Sequence, residues 1–144
     1  MERQKRNPTI EYLRQAQILD ARIDAGIERI QRLRALAERR TAAYGHGSGG
    51  GSGAADRRAD VVARIVDAER ELDQKIDRMI ALRAEIEAVI AGVPDARMRT
   101  LLELRYLNNH TWEQIAEEMH FGVQWLHKLH GRALMCAKEA MESD

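Results

Sequence analysis

Apolar residues recur at intervals of three and four over most of the first 92 residues, and this spacing predicts two long helices. The first is predicted from about Thr9 to Tyr44, with apolar residues at Leu13, Ala16, Ile23, Ile27, Ile30 and Ala37, flanked by Leu19, Leu33 and Leu36. The second is predicted from about Ala55 to Ala91, with apolar residues at Val62, Ile65, Leu72, Ile76, Met79, Ile86 and Ile90. Charged residues interrupt both stripes, at Asp20, Arg34, Glu69 and Arg83. Their near-heptad rhythm predicts that the two helices pair like a coiled coil.

A glycine-rich segment, GHGSGGGSG at residues 45–53, separates the two stripes. Six of its nine residues are glycine, which is typical of a flexible linker. A short joint between helices of similar length favours an antiparallel hairpin, so residues 1–92 are predicted to form one helical-hairpin domain. Because two helices enclose only a thin core, we expect the hairpin to pack on a third element or on a second copy of the chain.

The remaining residues, 93–144, are predicted to form a second helical module. Gly92 ends the second helix and Pro94 can begin the next one. A third helix is predicted from about Asp95 to Leu107, and its apolar residues are Met98, Leu101, Leu102 and Leu104. Asn108, Asn109 and His110 then turn the chain.

The segment TWEQIAEEMHFGVQWLHKLH, residues 111–130, predicts two short helices joined by a tight turn. Thr111 and Gln114 have the spacing of a capping box at the start of the first helix. Residues 120–122 form the break, and a second helix begins at Val123. Its inward-facing residues are Leu126, Leu129, Ala133 and Leu134. The predicted fold is therefore all-α: a long antiparallel, coiled-coil-like hairpin followed by a C-terminal helix-turn-helix.

Composition is consistent with this architecture. The chain has 144 residues, of which 32% are charged and 4% aromatic, a balance that suits long amphipathic helices. The single cysteine, Cys136, excludes an intrachain disulfide and favours a reducing compartment. No apolar stretch approaches the roughly 20 residues of a membrane span, and the polar N-terminus is unlike a signal peptide. We therefore expect a cytoplasmic protein with no membrane contact.

The charge distribution limits what the C-terminal module can bind. The formal net charge is zero, and residues 95–144 hold six Lys or Arg against eight Asp or Glu. This balance argues against strong independent DNA binding, which depends mostly on phosphate contacts. Protonation of four histidines, His110, His120, His127 and His130, would make the module more basic, and the alternative for His130 is to pack against the third helix.

Motifs that carry catalysis are absent from the sequence. It has no nucleophile paired with a base, no glycine loop that could hold a phosphate and no metal-ligand spacing. His127 and His130 are three residues apart, but no Cys or paired carboxylate completes a zinc site in register. The sequence therefore predicts a protein that is not an enzyme and that needs no metal or cofactor.

The C-terminal third, LLELRYLNNHTWEQIAEEMHFGVQWLHKLHGRALMCAKEAM, resembles region four of bacterial sigma factors. The residues that match that family in order are Arg105, Tyr106, Thr111, Ile115, Ala116, Glu117, Glu118, Ala133 and Leu134. The hairpin followed by W-x-H-x-L-H-G-R-A-L looks more like a phage-encoded, sigma-like family akin to the RinA and ArpU late-gene activators. Two positions depart from the sigma pattern: His120 stands at the usual glycine of the turn and Gly122 at the usual serine cap.

The resemblance implies that the second helix of the motif contacts DNA. The aligned positions are Val123, Gln124, Trp125, His127 and Lys128, with Arg132 one turn further along. Gln124 and Lys128 keep chemistry suited to the major groove, and Val123 could contact a thymine methyl. Trp125 can stack on a sugar or on a protein, but it encodes no base sequence.

Two function classes follow from these features. The first is a phage or prophage transcription regulator that binds promoter double-stranded DNA, bacterial RNA polymerase or both, and dimerises through the hairpin. The second is a structural nucleic-acid protein, such as the small subunit of a DNA-packaging terminase, in which similar modules join oligomerising hairpins. A ring of many subunits would favour packaging, whereas a monomer or dimer that binds polymerase would favour regulation.

Overall fold

In the computed structural model, which describes residues 7–44 and 52–143, every regular element is helical. The elements are α1 (Pro8–Tyr44), α2 (Ser52–Ala91), α3 (Ala96–Leu102), a π-helical turn (Glu103–Leu107), α4 (Trp112–Met119) and α5 (Val123–Glu142). The all-α prediction is thus confirmed for the described residues. None of these helices is long and apolar enough to cross a membrane.

Two predicted boundaries differ from the observed ones. Most of the predicted linker, residues 45–51, lies outside the described residues, but Ser52 and Gly53 already belong to α2. The predicted third helix is α-helical only to Leu102, after which the chain makes the π-helical turn. In that turn Asn108 N–H donates to Glu103 O, a five-residue step that apolar spacing does not reveal.

The chain divides into two compact units: unit 1, Met1–Leu19 with Met79–Asp144, and unit 2, Asp20–Arg78. Residue 92, the predicted domain boundary, lies inside unit 1. Among the described residues, the largest fully buried side chains lie in unit 1 and come from all five α-helices and the segment that follows α2. They are Leu13, Ile86, Ile90, Val93, Leu101, Leu102, Ile115 and Leu126.

Side chains from α1 and α2 hold the π-helical turn in place within unit 1. Gln17 Nε2 donates to Arg105 O at 2.7 Å, and Arg83 Nη1 donates to Leu107 O at 3.0 Å. These bonds satisfy carbonyl oxygens at the end of a helical segment, where no following turn can do so. Arg83, which interrupts the apolar stripe of α2 in the sequence, therefore has a structural role.

Unit 2 consists of the α1 and α2 segments between residues 20 and 78, and its contacts run in opposite order along the two helices. A Cβ on Gly26 would lie 3.2 Å from Leu72 Cδ1, while Arg34, further along α1, pairs with Glu69, earlier on α2. Arg34 and Glu69 are two of the stripe interruptions, so these charges bridge the helices at the surface.

The apolar stripes of unit 2 are only partly covered. Its buried apolar side chains are Ile23, Ile30 and Ala68. In contrast, Ile27, Val62 and Ile76, which the spacing places in the stripes, are 41%, 57% and 36% exposed. The reason is geometric: one neighbouring helix covers only part of an apolar stripe, and residues at its edge stay in contact with solvent.

Candidate nucleic-acid interface

A capping box fixes the start of α4. Thr111 Oγ1 accepts a hydrogen bond from Gln114 N–H at 3.2 Å, and Gln114 Oε1 accepts one from Thr111 N–H at 2.9 Å. The two bonds satisfy backbone donors that would otherwise have no partner in the first turn. The capping box predicted from the sequence is confirmed.

The turn between α4 and α5 depends on a left-handed residue. His120 ends α4 with φ 59° and ψ 39°, and Phe121 N–H donates to Ala116 O at 3.1 Å. A histidine in this conformation carries some strain, which glycine would avoid. Gly122 is the N-cap of α5 with an extended φ of −70°, so its conformation does not require glycine. Both departures from the sigma pattern thus lie in the turn that sets the direction of α5.

Helices α4 and α5 pack on a buried apolar cluster. It consists of Leu101, Leu104, Ile115, Leu126 and Leu129, with Met98, Trp112, Ala116, Met119 and Phe121 packed against it. Ala133, Leu134 and Ala137 of α5 are also buried. The inward face predicted for α5 is therefore the observed one, and α5 is anchored along much of its length.

The opposite face of α5 is open to solvent. Gln124, Trp125, His127, Lys128 and Arg132 are exposed, and Val123 is half-buried. Trp125 is 40% exposed, which is a large apolar area for a surface side chain. The six residues that the sequence predicts to contact DNA thus lie at or near the surface of one helix.

The charge of α5 differs from that of the module as a whole. Residues 123–138 include Lys128, Arg132 and Lys138 and contain no Asp or Glu. The carboxylates of α4 are Glu113, Glu117 and Glu118, and those of α5 are Glu139 and Glu142 in its last turn. Residues 95–144 together are mildly acidic, but the first four turns of α5 carry only positively charged side chains.

An aromatic cluster that sequence reasoning did not predict lies between the π-helical turn, α4 and α5. The Trp112 ring is 4.5 Å from that of His127 and 4.9 Å from that of His130, measured between centroids. Arg105 Cζ lies 4.8 Å from the centroid of Trp112, and the Tyr106 hydroxyl lies 2.7 Å from His130 Nε2. The cluster joins residues from three elements, and only the i, i+3 spacing of the two histidines was visible in the sequence.

Within this cluster His130 cannot act as a cation near neutral pH. Burial, together with electrostatic repulsion from Arg105, His127 and Arg14, lowers the pKa of His130 to about 4. Of the two roles expected for His130, the protonated basic one is therefore wrong: its imidazole stays neutral and packs against Tyr106, which lies in the segment predicted as the third helix.

The loop before α4 makes polar contacts with the residues around the aromatic cluster. Arg105 Nη1 donates to His110 O at 3.0 Å, and His110 Nδ1 lies 3.1 Å from Glu118 Oε2. Among the described residues, no three His, Cys, Asp or Glu side chains converge in a way that could hold a metal ion. The histidines here contact aromatic rings, a hydroxyl and a carboxylate.

Comparison with known proteins gives one family. Residues 47–143 match a family described as "Protein of unknown function (DUF1492)", and this range includes the π-helical turn, α4 and α5. No curated protein and no solved structure matches the chain.

Proposed function

The chain belongs to the DUF1492 family, and we propose that this member is a DNA-binding transcription regulator of the sigma region-four type, encoded by a phage or prophage. In this proposal α4, the turn and α5 form a helix-turn-helix that follows an antiparallel hairpin made by α1 and α2. Helix α5 enters the major groove of promoter DNA, and RNA polymerase supplies a second contact.

The exposed face of α5 is the observation that carries the proposal. It combines three cations, no carboxylate over residues 123–138, and a glutamine near the helix start. A helix that is anchored by one apolar face and presents cations and amides on the other suits the major groove, which admits a single α-helix.

The side chains of this face divide between two roles. Gln124, in the first turn, is suited to base edges because its amide can pair with adenine in a bidentate way. Lys128 and Arg132 lie one turn apart and are suited to phosphates, which fix position and add affinity without reading sequence. Val123, half-buried at the helix start, is suited to a thymine methyl, and His127 to a neighbouring phosphate or sugar.

Three cations give only modest affinity. Each neutralised phosphate contributes about −0.9 to the slope of log affinity against log salt, so one copy of α5 would give a slope of about −3. Because His130 stays neutral, it does not add to this total. The protein would therefore need a further contact to occupy a promoter, and the exposed Trp125 is the candidate anchor for RNA polymerase.

A second copy of the chain would supply another contact. Four of the apolar residues left exposed in unit 2, Ile27, Val62, Val66 and Ile76, are suited to the matching face of a partner hairpin. Each helical segment of unit 2 has about 25 residues and is about 37 Å long, and a helix is about 10 Å wide. Two such helices side by side present a face whose area is of the order of ~800 Å², which is the area that each partner buries in a stable complex.

A substitution series on α5 tests DNA binding directly. Binding of a mixed-sequence DNA duplex would be measured by fluorescence anisotropy over a range of salt concentrations. We expect Lys128→Ala to weaken binding to all sequences alike and to reduce the salt slope by about 0.9, the value for one phosphate contact. Gln124→Ala should instead relax the preference among selected sequences.

Arg70→Ala is the matched control, because it removes an exposed cation from α2 and leaves α5 intact. It should bind DNA as the wild type does. Equal binding by the wild type, Lys128→Ala and Gln124→Ala would contradict the proposal.

A further inference from the structure

Gly131 lies near the middle of α5 and is exposed. Glycine weakens a helix interior because it gives the unfolded chain more freedom than alanine does. Alanine at residue 131 would therefore be expected to stabilise the helix.

Two other glycines, Gly26 within α1 and Gly92 at the end of α2, show what a structural reason looks like. A Cβ on Gly26 would lie 3.2 Å from Leu72 Cδ1, and a Cβ on Gly92 would lie 3.1 Å from Ala140 Cβ. Close packing therefore favours glycine at both positions. A Cβ on Gly131, in contrast, would meet no atom within 4 Å, and its φ is not in the left-handed region. The folded chain itself gives no reason for glycine at residue 131.

The surroundings of Gly131 indicate what could approach it. Helical spacing places Gly131 on the same face as Gln124 and Lys128, seven and three residues before it, and Arg132 follows directly. These are the residues that we assign to DNA, and all of them are exposed. Gly131 thus leaves a gap without a side chain at one edge of this cationic face of α5 (Gln124, Lys128 and Arg132), the edge beside the groove that α5 forms with residues 7–9.

We propose that Gly131 is the point at which α5 lies closest to the DNA sugar–phosphate backbone, an inference that rests on the proposed function. Without a Cβ, the helix backbone can approach a ligand closely. Lys128 and Arg132 then bind phosphates on either side of this point. A methyl group at residue 131 holds the helix away from the groove wall and lengthens both contacts.

The test is Gly131→Ala, which we expect to raise the stability of the free protein and to lower its affinity for DNA. In the free protein, Gly131→Ala should raise Tm by about 3 °C, since alanine favours the helix and meets no neighbour. Affinity for the mixed-sequence duplex should fall about tenfold, and Gly131→Gln, with a longer side chain, should bind still more weakly. Gly53→Ala is the control: Gly53 is an exposed helical glycine of α2 with no atom near its Cβ position, so DNA binding should not change.

Each other outcome has a definite meaning. If Gly131→Ala raises Tm but binds DNA as the wild type does, the inference is wrong, whereas weak binding by Lys128→Ala would still support the proposed function. A lower Tm for Gly131→Ala would show that the fold requires this glycine, and would also overturn the inference. Loss of RNA polymerase binding with unchanged DNA binding would overturn it too, because the close contact would then be with protein.

Discussion

His130 lies at the centre of the aromatic cluster, and its ionisation is coupled to folding. Its ring is partly buried beside Tyr106 and Trp112, and its pKa is about 4 in the folded chain, against about 6.5 for a free histidine. The unfolded chain therefore binds a proton at His130 more readily than the folded chain. It follows that the contribution of His130 to stability is complete above about pH 6.5 and is lost as the pH falls towards 4.

We predict that the free energy of unfolding decreases between pH 6.5 and 4 by an amount on the order of 2 kcal/mol that is attributable to His130, less than the full pKa shift implies because the ring is partly exposed. Urea denaturation at a series of pH values measures this decrease. His130→Gln should remove that part of the pH dependence, and His127→Gln, on the exposed face of the same helix, should retain it. An identical pH profile for wild type and His130→Gln would contradict the prediction.

At the same scale, the exposed face of the candidate site could be predicted, but the aromatic cluster could not. The exposure of Gln124, Lys128 and Arg132 follows from helical periodicity, because Leu126 and Leu129 fix which side of α5 faces inward. The cluster depends instead on side chains from three elements meeting in space. Neither the neutral state of His130 nor the contact of Trp112 with His127 leaves a pattern in the sequence.

At the scale of elements, the helices were predicted better than their ends. Apolar spacing gave α1, α2, α4 and α5 within a few residues, since each carries apolar residues at intervals of three and four. It failed at Glu103–Leu107, where the helix widens into a π-helical turn. Hydrogen bonds from Gln17 and Arg83 hold that turn, and such long-range bonds are not encoded in local periodicity.

Helix α5 presents two kinds of surface, which should bind different partners. Helical spacing places Trp125 beside Arg132 at one edge of the cationic face, away from Gln124. A rigid aromatic side chain that becomes buried at an interface can contribute about 2 kcal/mol, which corresponds to about a thirtyfold change in affinity.

We predict that Trp125→Ala lowers the affinity of the protein for bacterial RNA polymerase core enzyme about thirtyfold while Tm stays within about 2 °C of the wild type. Binding to the purified enzyme and thermal melting are the measurements. Met135→Ala, which removes another exposed apolar side chain from α5, is the control and should bind polymerase normally. A large drop in Tm for Trp125→Ala would show that Trp125 belongs to the core, and the assignment as an anchor would fail.

At the scale of the whole molecule, net charge and self-association are connected. With zero net charge, the chain has no long-range attraction to DNA, so the number of local phosphate contacts decides its affinity. A dimer would bring a second copy of the cationic face and could roughly double that number.

We predict that Val66→Asp converts a dimer into a monomer, because a charge would then lie in the apolar interface between two copies of unit 2. Light scattering measures the mass in solution, and the salt slope of DNA binding should fall by about half together with the mass. Helicity should not change, since Val66 is already exposed within one chain. Ala63→Asp is the control: it adds the same charge to an exposed position about one-sixth of a turn away from Val66.

A wild-type protein that is monomeric at all concentrations would contradict this prediction. A closed ring of many subunits would contradict it as well, and would favour a structural role in DNA packaging over transcription regulation.

The hydrogen bond from Gln17 to Arg105 has a consequence for how the chain is made. It joins residues 88 positions apart, and Leu13 and Ala16 from the same end of α1 are buried in unit 1. During synthesis on the ribosome, this end of α1 is made 88 residues before its partner Arg105. Its apolar side chains therefore stay uncovered until these intervening residues have been made. Such a late contact closes a long loop and slows folding, so nascent α1 needs protection from aggregation during this interval.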